Sequence, residues 1–372
     1  MHIGLNAHLL SKQRSYRTAG IHGYIYNLLA HLPQAAPDGW HFTAMVGAEN
    51  PHRFPGITMQ PSRLNTESSI RRILWEQAVQ PLRLGPFDLY HALAFVSPLL
   101  LYRPSVVTVY DLSFVHYPQV LSTARRLYLR LFTALSCKRA RRVIAISQST
   151  AHDLHATFNI PLDRIDVAVP GYDHRRLLPL PHEAVEAFRV KSGLPARFWL
   201  FLGTLEPRKN LTTLLDAYAT LPTNERLPLV LAGGKGWDYA AIFERVARHG
   251  LEDTVHFPGF ITAEDLPLWY NSAELLVYPS IYEGFGLPVL EAMACGTPVI
   301  VSDASSLPEV VGDGGIQVPP LGVDAWATAL RSAYRDADWR QQASEAGIKH
   351  AAGFTWSQTA QQTVTSYRRA GR

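Results

Sequence analysis

The feature that most limits how this chain folds is a repeated alternation of short apolar runs, four to seven residues long, with longer stretches of helical pattern. Consecutive strands separated by helices pair in parallel, because a parallel connection needs a crossover long enough to hold a helix. Strands are expected at His2–Asn6, Phe42–Val46, Leu89–Ala92, Val106–Asp111 and Val143–Ser147, with helices at Gly23–Leu32 and Thr123–Arg141. The turn-rich run 167–173 and the Pro-rich Leu178-Pro179-Leu180-Pro181 close this series. A second series opens at Phe198–Gly203 and continues with strands at Leu229–Ala232, Val255–Pro258, Leu275–Tyr278 and Val299–Asp303. At 372 residues the chain is long enough for two cores. The expected division is therefore 1–172 and 173–355, with a final helix in 356–372 packing back on the first part.

Composition sets outer bounds on function. Apolar residues make up 47% and charged residues 18%, as in globular proteins rather than disordered ones. Cys137 and Cys295 are the only cysteines and lack metal-ligand spacing, which argues against a disulfide framework or zinc site and favours a reducing compartment. No basic start with an apolar run opens the chain, and no run of 18 apolar residues occurs, so a cytoplasmic location is expected.

The net charge of +4 conceals an asymmetry: residues 1–172 hold 17 Lys/Arg against 9 Asp/Glu, while 173–372 hold 18 against 22. Much of the excess lies in 125–142, where Arg125, Arg126, Arg130, Lys138, Arg139, Arg141 and Arg142 occur with no acid between them. Two readings stay open. The segment is either a surface helix whose apolar stripe (Leu127, Leu131, Phe132, Leu135) faces the core, or a peripheral contact with anionic membrane. No nucleic-acid motif accompanies the charge, so nucleic acid is not an expected partner.

The chemistry concentrates in the second half. Glu283-Gly284-Phe285-Gly286-Leu287-Pro288-Val289-Leu290-Glu291 sets two carboxylates eight residues apart across a glycine-rich turn that enters a helix. Pro288 suits a first helical residue, and amides at the helix start suit a diphosphate. Glu291 is placed to hold a pair of sugar hydroxyls and Glu283 to face a reacting sugar. The plainer alternative is that both merely complement a helix dipole or solvent. Upstream, Arg208-Lys209-Asn210 follows a strand and precedes a helix, where open α/β sheets bind anions, with Asn210 as N-cap. Gly233-Gly234-Lys235-Gly236 lacks P-loop spacing and reads as a tight turn. Asp336-Ala337-Asp338 lies after a helix, away from strand ends, and reads as solvated surface.

Taken in order, Gly203-Thr204-Leu205-Glu206-Pro207-Arg208-Lys209-Asn210, Pro258-Gly259-Phe260, Tyr278-Pro279-Ser280, the 283–291 segment and Gly296-Thr297-Pro298-Val299 resemble family four of the glycosyltransferases. The match is fuller from Val167 to Val318 than before it, where Thr18-Ala19-Gly20-Ile21 and Val143-Ile144-Ala145-Ile146-Ser147 agree in outline. The resemblance implies an α/β chain of the GT-B fold, two Rossmann-like domains facing each other across a cleft. Donor nucleotide would bind the second and acceptor the first, with retention and without metal or cofactor.

By the same resemblance, Arg208 and Lys209 hold the diphosphate, Glu291 the ribose, and Glu283 with the Phe285 and Gly286 backbone the donor sugar. Gly203 and Leu287 line that site, Gly20 closes over the phosphates, and the loop at Phe260 meets the base. Where many relatives carry His-Asp, this chain has Tyr110-Asp111. The histidine contact with the donor hexose thus passes to a phenol or disappears, while Asp111 is expected to orient acceptor or sugar, against the alternative of capping a local turn. The implied activity is transfer of a hexose, with mannose from GDP-mannose as the first expectation, to a saccharide or lipid-linked acceptor in cell-envelope polysaccharide synthesis. The alternatives are a catalytically silent sugar-nucleotide-binding partner subunit and, less well matched, a nucleotide-sugar epimerase on the same fold.

Overall fold

The computed structural model describes residues 1–10, 19–48, 50–63, 65–66 and 68–371. Two compact units form, Met1–Gly171 with Thr355–Arg372, and Tyr172–Phe354. Each is built on one sheet.

In the first unit, β1 (His2–Asn6), β2 (His41–Val46), β3 (Ile57–Pro61), β4 (Leu89–Ala92), β5 (Ser105–Val109), β6 (Arg142–Ala145) and β7 (Ile165–Val167) run parallel in the order β3-β2-β1-β4-β5-β6-β7. The central strands are apolar along their length because helices cover both faces, as the parallel pairing demands. β3 and β7 were not expected. Both are edge strands, and the sequences Ile-Thr-Met-Gln-Pro and Ile-Asp-Val carry too few apolar residues to signal a strand. The chain then makes a close crossing at Gly171, where a Cβ would lie 2.3 Å from the Trp356 nitrogen.

Helix Trp356–Gly371 packs on this unit. Tyr367 Oη lies 2.7 Å from His91 Nδ1 on β4, Thr359 donates to the Val169 carbonyl, and Arg141 donates to the Ala370 carbonyl.

The basic helix spans Thr123–Arg139. Its buried positions are Thr133, Ser136 and Cys137, whereas Leu127 and Leu131 are 63% and 49% exposed. Of the two readings left open, the one in which the whole apolar stripe faces the core holds only for half-buried Phe132 and Leu135: the small Thr133, Ser136 and Cys137 let the helix sit close to the core, which rotates Leu127 and Leu131 outward beside exposed Arg125 and Arg130. Among the described residues no helix is long and apolar enough to cross a membrane.

In the second unit, β8 (Trp199–Leu202), β9 (Leu229–Ala232), β10 (Val255–Gly259), β11 (Leu275–Tyr278), β12 (Val299–Ser302) and β13 (Gly315–Val318) form a parallel sheet in the order β10-β9-β8-β11-β12-β13. β13 is another edge strand missed by pattern, since glycine and glutamine break its apolar run. In both sheets the direction of strand addition reverses beside the first strand, between β1 and β4 and between β8 and β11. Such switch points leave a crevice at the carboxyl ends of the strands, where open α/β sheets bind ligands.

Candidate functional site

At the second unit's switch point, β8 ends at Leu202 and the chain leaves through Gly203 and Leu205. The turn 233–236 grips it there: Leu205 N donates to Gly234 O, and Gly236 N to Leu205 O. Gly233 sits at φ +148°, and a Cβ on it would stand 1.8 Å from the Gly203 carbonyl oxygen, so both the approach and the conformation require glycine. The turn supports the strand exit. At Gly203 a Cβ would crowd Phe201 at 3.2 Å and lie in ordinary contact with the Lys209 stem at 3.6 Å.

Pro207–Lys209 forms one 3-10 turn, with Glu206 extended before it and Asn210 left-handed after it, at φ 55°. Asn210 stands at the N-cap position of helix Leu211–Ala219, yet its side chain does not cap. It donates instead to the carbonyls of Pro279 and Pro320 and accepts from Thr213. The left-handed backbone turns the amide away from the helix amides, so the expected cap becomes a strap between loops. Ile281 N donates to Arg208 O and completes the attachment of this turn to the 279–283 loop.

The result is a compact ionic cluster. Arg208 Nη1 donates to Glu283 Oε2 at 2.9 Å and to the Tyr282 carbonyl at 2.8 Å. Its Nε donates to Glu206 Oε1 at 2.9 Å, and Nη2 lies 2.7 Å from the same oxygen. Lys209 Nζ donates to Glu283 Oε1 at 2.5 Å and to Tyr278 Oη at 2.8 Å, with the ammonium 4.9 Å from that ring's centroid. Burial by itself would raise the Glu283 carboxyl, but Arg208 and Lys209 outweigh it and hold the group at about 2. Glu283 is therefore ionised throughout the neutral range.

The loop carrying Glu283 is tied from β12's exit. Ser305 Oγ donates to Glu283 O and accepts from Glu283 N, while Ser306 Oγ donates to the carbonyls of Glu283 and Phe285. Helix Leu287–Ala294 follows with Gly286 as N-cap at φ 123°, so Pro288 is its second residue rather than its first. A Cβ on Gly286 would collide with Leu307 at 2.8 Å. Phe285 is buried and Leu287 partly so.

Glu291 stands apart from the cluster. Tyr270 Oη donates to its Oε2 at 2.8 Å. Burial raises its carboxyl to about 7, against smaller opposing effects of Tyr270 and Arg176. The two glutamates of one short segment thus have opposite protonation behaviour.

Other predicted positions are less engaged. Phe260 is 53% exposed just beyond β10, and Gly20 is exposed in the first helix, whose neighbour Thr18 lies outside the described residues. Asp111 Oδ1 accepts from Ser113 N at 2.8 Å, the local turn cap held open as its alternative role. Tyr110 is buried, and its hydroxyl donates to the Leu93 carbonyl at 2.8 Å; the phenol is committed to the interior. Asp336 caps the following helix through Trp339 N.

Sequence reading overlooked Glu206, Ser305 and Ser306 as participants. The serines follow β12 as Lys209 follows β8, and that shared carboxyl-end position was the available signal. A second overlooked group lies at the first unit's switch point, where Asn6 Nδ2 donates to Glu76 Oε1 at 3.1 Å and His8 Nδ1 lies 3.1 Å from Thr66 Oγ1. Glu76 sits on a π-helical turn, Trp75–Val79, a rare geometry that functional sites often use. Burial raises Glu76 to about 6 and lowers His8 to about 4.

Known proteins match this chain along most of its length. Residues 18–176 fit the model of Glycosyltransferase Family 4 and residues 185–350 that of Glycosyl transferases group 1. The chain is 36% identical over 282 residues to O-antigen chain mannosyltransferase B of Escherichia coli, covering 75% of this chain and 74% of that one. It is 33% identical over 237 residues to the Escherichia coli serotype-specific mannosyltransferase WbdA, covering 62% of this chain but only 29% of that longer protein. With D-inositol 3-phosphate glycosyltransferase of Arthrobacter sp. it shares 27% identity over 99% of this chain and 94% of that one. Among solved structures, sucrose-phosphate synthase from Thermosynechococcus elongatus superposes with TM-score 0.78 at 24% identity, covering 99% and 98% of the two chains. Anabaena HepE in complex with UDP and glucose does so with TM-score 0.75 at 20% identity, covering 99% and 98%. The structural likenesses bear on the fold alone.

Proposed function

Because the chain belongs to the family 4, group 1 glycosyltransferases and has their GT-B fold, we propose that it transfers a hexose, with retention and without a bound metal, from a nucleotide-diphosphate sugar to a saccharide or lipid-linked acceptor. The observation that carries this reading is the convergence of Arg208, Lys209 and Glu283 beyond the ends of β8 and β11. Mannose from GDP-mannose is the donor we favour, and cell-envelope polysaccharide the product class; similarity to O-antigen chain mannosyltransferase B supports the sugar and the product class. The acceptor side is assigned to residues 1–172 with the terminal helix, and the donor side to 173–355.

In the proposed reaction the bond between the sugar's anomeric carbon and the diphosphate oxygen breaks, and the acceptor hydroxyl oxygen bonds to the same face of that carbon. The acceptor proton passes to the departing phosphate oxygen. Arg208 and Lys209 stabilise the charge that develops on the diphosphate, which fixed cations achieve without reorganisation. Glu283, ionised and fixed by Arg208 and Lys209, accepts from hydroxyls of the donor sugar, assisted by the backbone of Phe285 and Gly286. Gly203 and Leu287 line the site, Glu291 takes the ribose hydroxyls, the Phe260 loop meets the base, and Gly20 covers the phosphates. Asp111 orients the acceptor.

Incubation with GDP-mannose and mannoside acceptors, with the anomeric configuration of the product read by NMR, tests the assignment. An α-linked mannosyl product is expected. Binding of nucleotide sugar with no transfer to any acceptor would favour the silent partner subunit, and a covalent glycosyl adduct on Glu283 would replace same-face attack.

Peripheral contact with the inner face of an anionic membrane through 125–142 belongs to the same reading, supported by outward Leu127 and Leu131 among arginines. Co-sedimentation with phosphatidylglycerol vesicles should fall when both leucines become serine. An unchanged bound fraction would remove the membrane from the reading.

A further inference from the structure

Arg208 holds more anionic partners than a phosphate ligand needs. A guanidinium offers five donors, and its Nε/Nη2 edge is one of the two that grip carboxylate or phosphate bidentately. In this protein that edge is filled by Glu206 Oε1, reached by Nε at 2.9 Å and Nη2 at 2.7 Å, while Nη1 goes to Glu283 and the Tyr282 carbonyl. The cluster therefore holds two cations, Arg208 and Lys209, and two carboxylates, Glu206 and Glu283, and its formal charge is zero.

The two carboxylates are not equivalent. Glu283 is held by Arg208 and Lys209 together, and its backbone is tied by Ser305 and Ser306. Glu206 has Arg208 as its ion-pair partner and stands on the extended residue before the 3-10 turn, beside Gly236, where a Cβ would come within 3.1 Å of its own. It is the member whose bond to the cluster an incoming anion can replace most readily.

We infer that Glu206 is a specificity-determining internal anion: it occupies the Arg208 edge that a diphosphate takes, and only a ligand with the charge of a diphosphate displaces it. This rests on the reading that Arg208 and Lys209 receive a diphosphate. A singly bridging anion such as inorganic phosphate competes poorly with a tethered carboxylate, because the tether gives Glu206 a high effective concentration at Arg208. When the diphosphate departs, Glu206 returns to the guanidinium and neutralises it again.

The probes are pyrophosphate and inorganic phosphate, titrated calorimetrically into the full chain as wild type, Glu206→Gln, Arg208→Gln and the double variant, with melting temperatures recorded for each. Glu206→Gln is expected to tighten pyrophosphate about tenfold and phosphate by more, narrowing the preference between them, since close charge pairs contribute on this scale; equal tightening of the two would overturn the specificity role. In the Arg208→Gln background the same change should leave both affinities where they were. Weakened or unchanged pyrophosphate binding by a folded Glu206→Gln would overturn the inference, as would equal tightening with and without Arg208, which marks a general field effect. If neither wild type nor Glu206→Gln takes up pyrophosphate, the underlying reading fails with it; wild-type binding that Glu206→Gln does not alter sinks the inference alone.

Discussion

The two switch points occupy equivalent places in two sheets that share a strand order apart from the extra edge strand β7, yet they are furnished oppositely. Beyond β8 and β11 the chain sets full charges against one another, and the central carboxyl is held at about 2. Beyond β1 and β4 the Asn6 amide bonds a carboxyl that burial raises to about 6 against the opposing charge of Arg72, and the His8 imidazole, lowered to about 4, meets the Thr66 hydroxyl. A charge-paired pocket suits a highly charged ligand that exchanges ion pairs. One architecture thus carries two electrostatic chemistries, and the side chains supplied after the strand ends decide which.

The largest effect that would break this contrast comes from the ionic side. Glu283→Gln removes the charge shared by Arg208 and Lys209, and sugar transfer should fall by roughly a hundredfold to a thousandfold. Loss of a buried pair of this kind costs about 3 kcal/mol, visible as a lower melting temperature at pH 7. The sign follows from linkage: Glu283 is depressed from 4.5, so its stabilisation is present above pH 4.5 and is lost as pH falls through about 2. Unimpaired transfer by this variant would remove Glu283 from the site.

Glu291 separates the two chemistries within one unit. Its carboxyl titrates at about 7, so if the ionised form accepts ribose hydroxyls, affinity for a nucleotide diphosphate should rise about tenfold between pH 6 and 8. Glu291→Gln should flatten that profile. A profile equally steep in the variant assigns the titration elsewhere.

At the first unit's switch point, Glu76→Gln should act opposite to Glu283→Gln on stability. Glu76 is raised from 4.5 to about 6, so its contribution is full below pH 4.5 and is lost as pH rises through about 6. The amide removes that penalty and should raise stability at pH 7.5 by about 2 kcal/mol. A lower melting temperature for both variants would mean that the two switch points do not differ in this way.

The smallest change is expected at Tyr110. Tyr110→Phe loses one buried bond to the Leu93 carbonyl and should cost about 1 kcal/mol in denaturant unfolding while leaving the KM for donor unmoved. A clear rise in donor KM would bring the phenol back to the sugar.

Much of the fold was readable from pattern, because central parallel strands are covered on both faces and show as apolar runs such as Leu229–Ala232. The edge strands β3, β7 and β13 were not readable, since one side of each lies open to solvent and their composition resembles a loop. At the site, Arg208, Lys209, Glu283 and Glu291 stood out by type and by position after strands. Glu206 did not, because nothing in Leu-Glu-Pro says that its carboxylate curls onto the arginine two residues later. Asn210 was readable as a helix boundary, whereas its strap to Pro279 and Pro320 depends on a residue 110 positions away.

Local pattern alone determined that this chain builds two parallel α/β sheets and carries the ordered motifs of a glycosyltransferase, since strand periodicity and motif order are properties of neighbouring residues. The tertiary structure decided that two glutamates eight positions apart are shifted in opposite directions, one to about 2 and the other to about 7, that Tyr110 turns inward, and that Leu127 and Leu131 turn outward. Burial and charge pairing act through space between segments distant along the chain, and the field at a carboxyl depends on which of those segments folding brings to it.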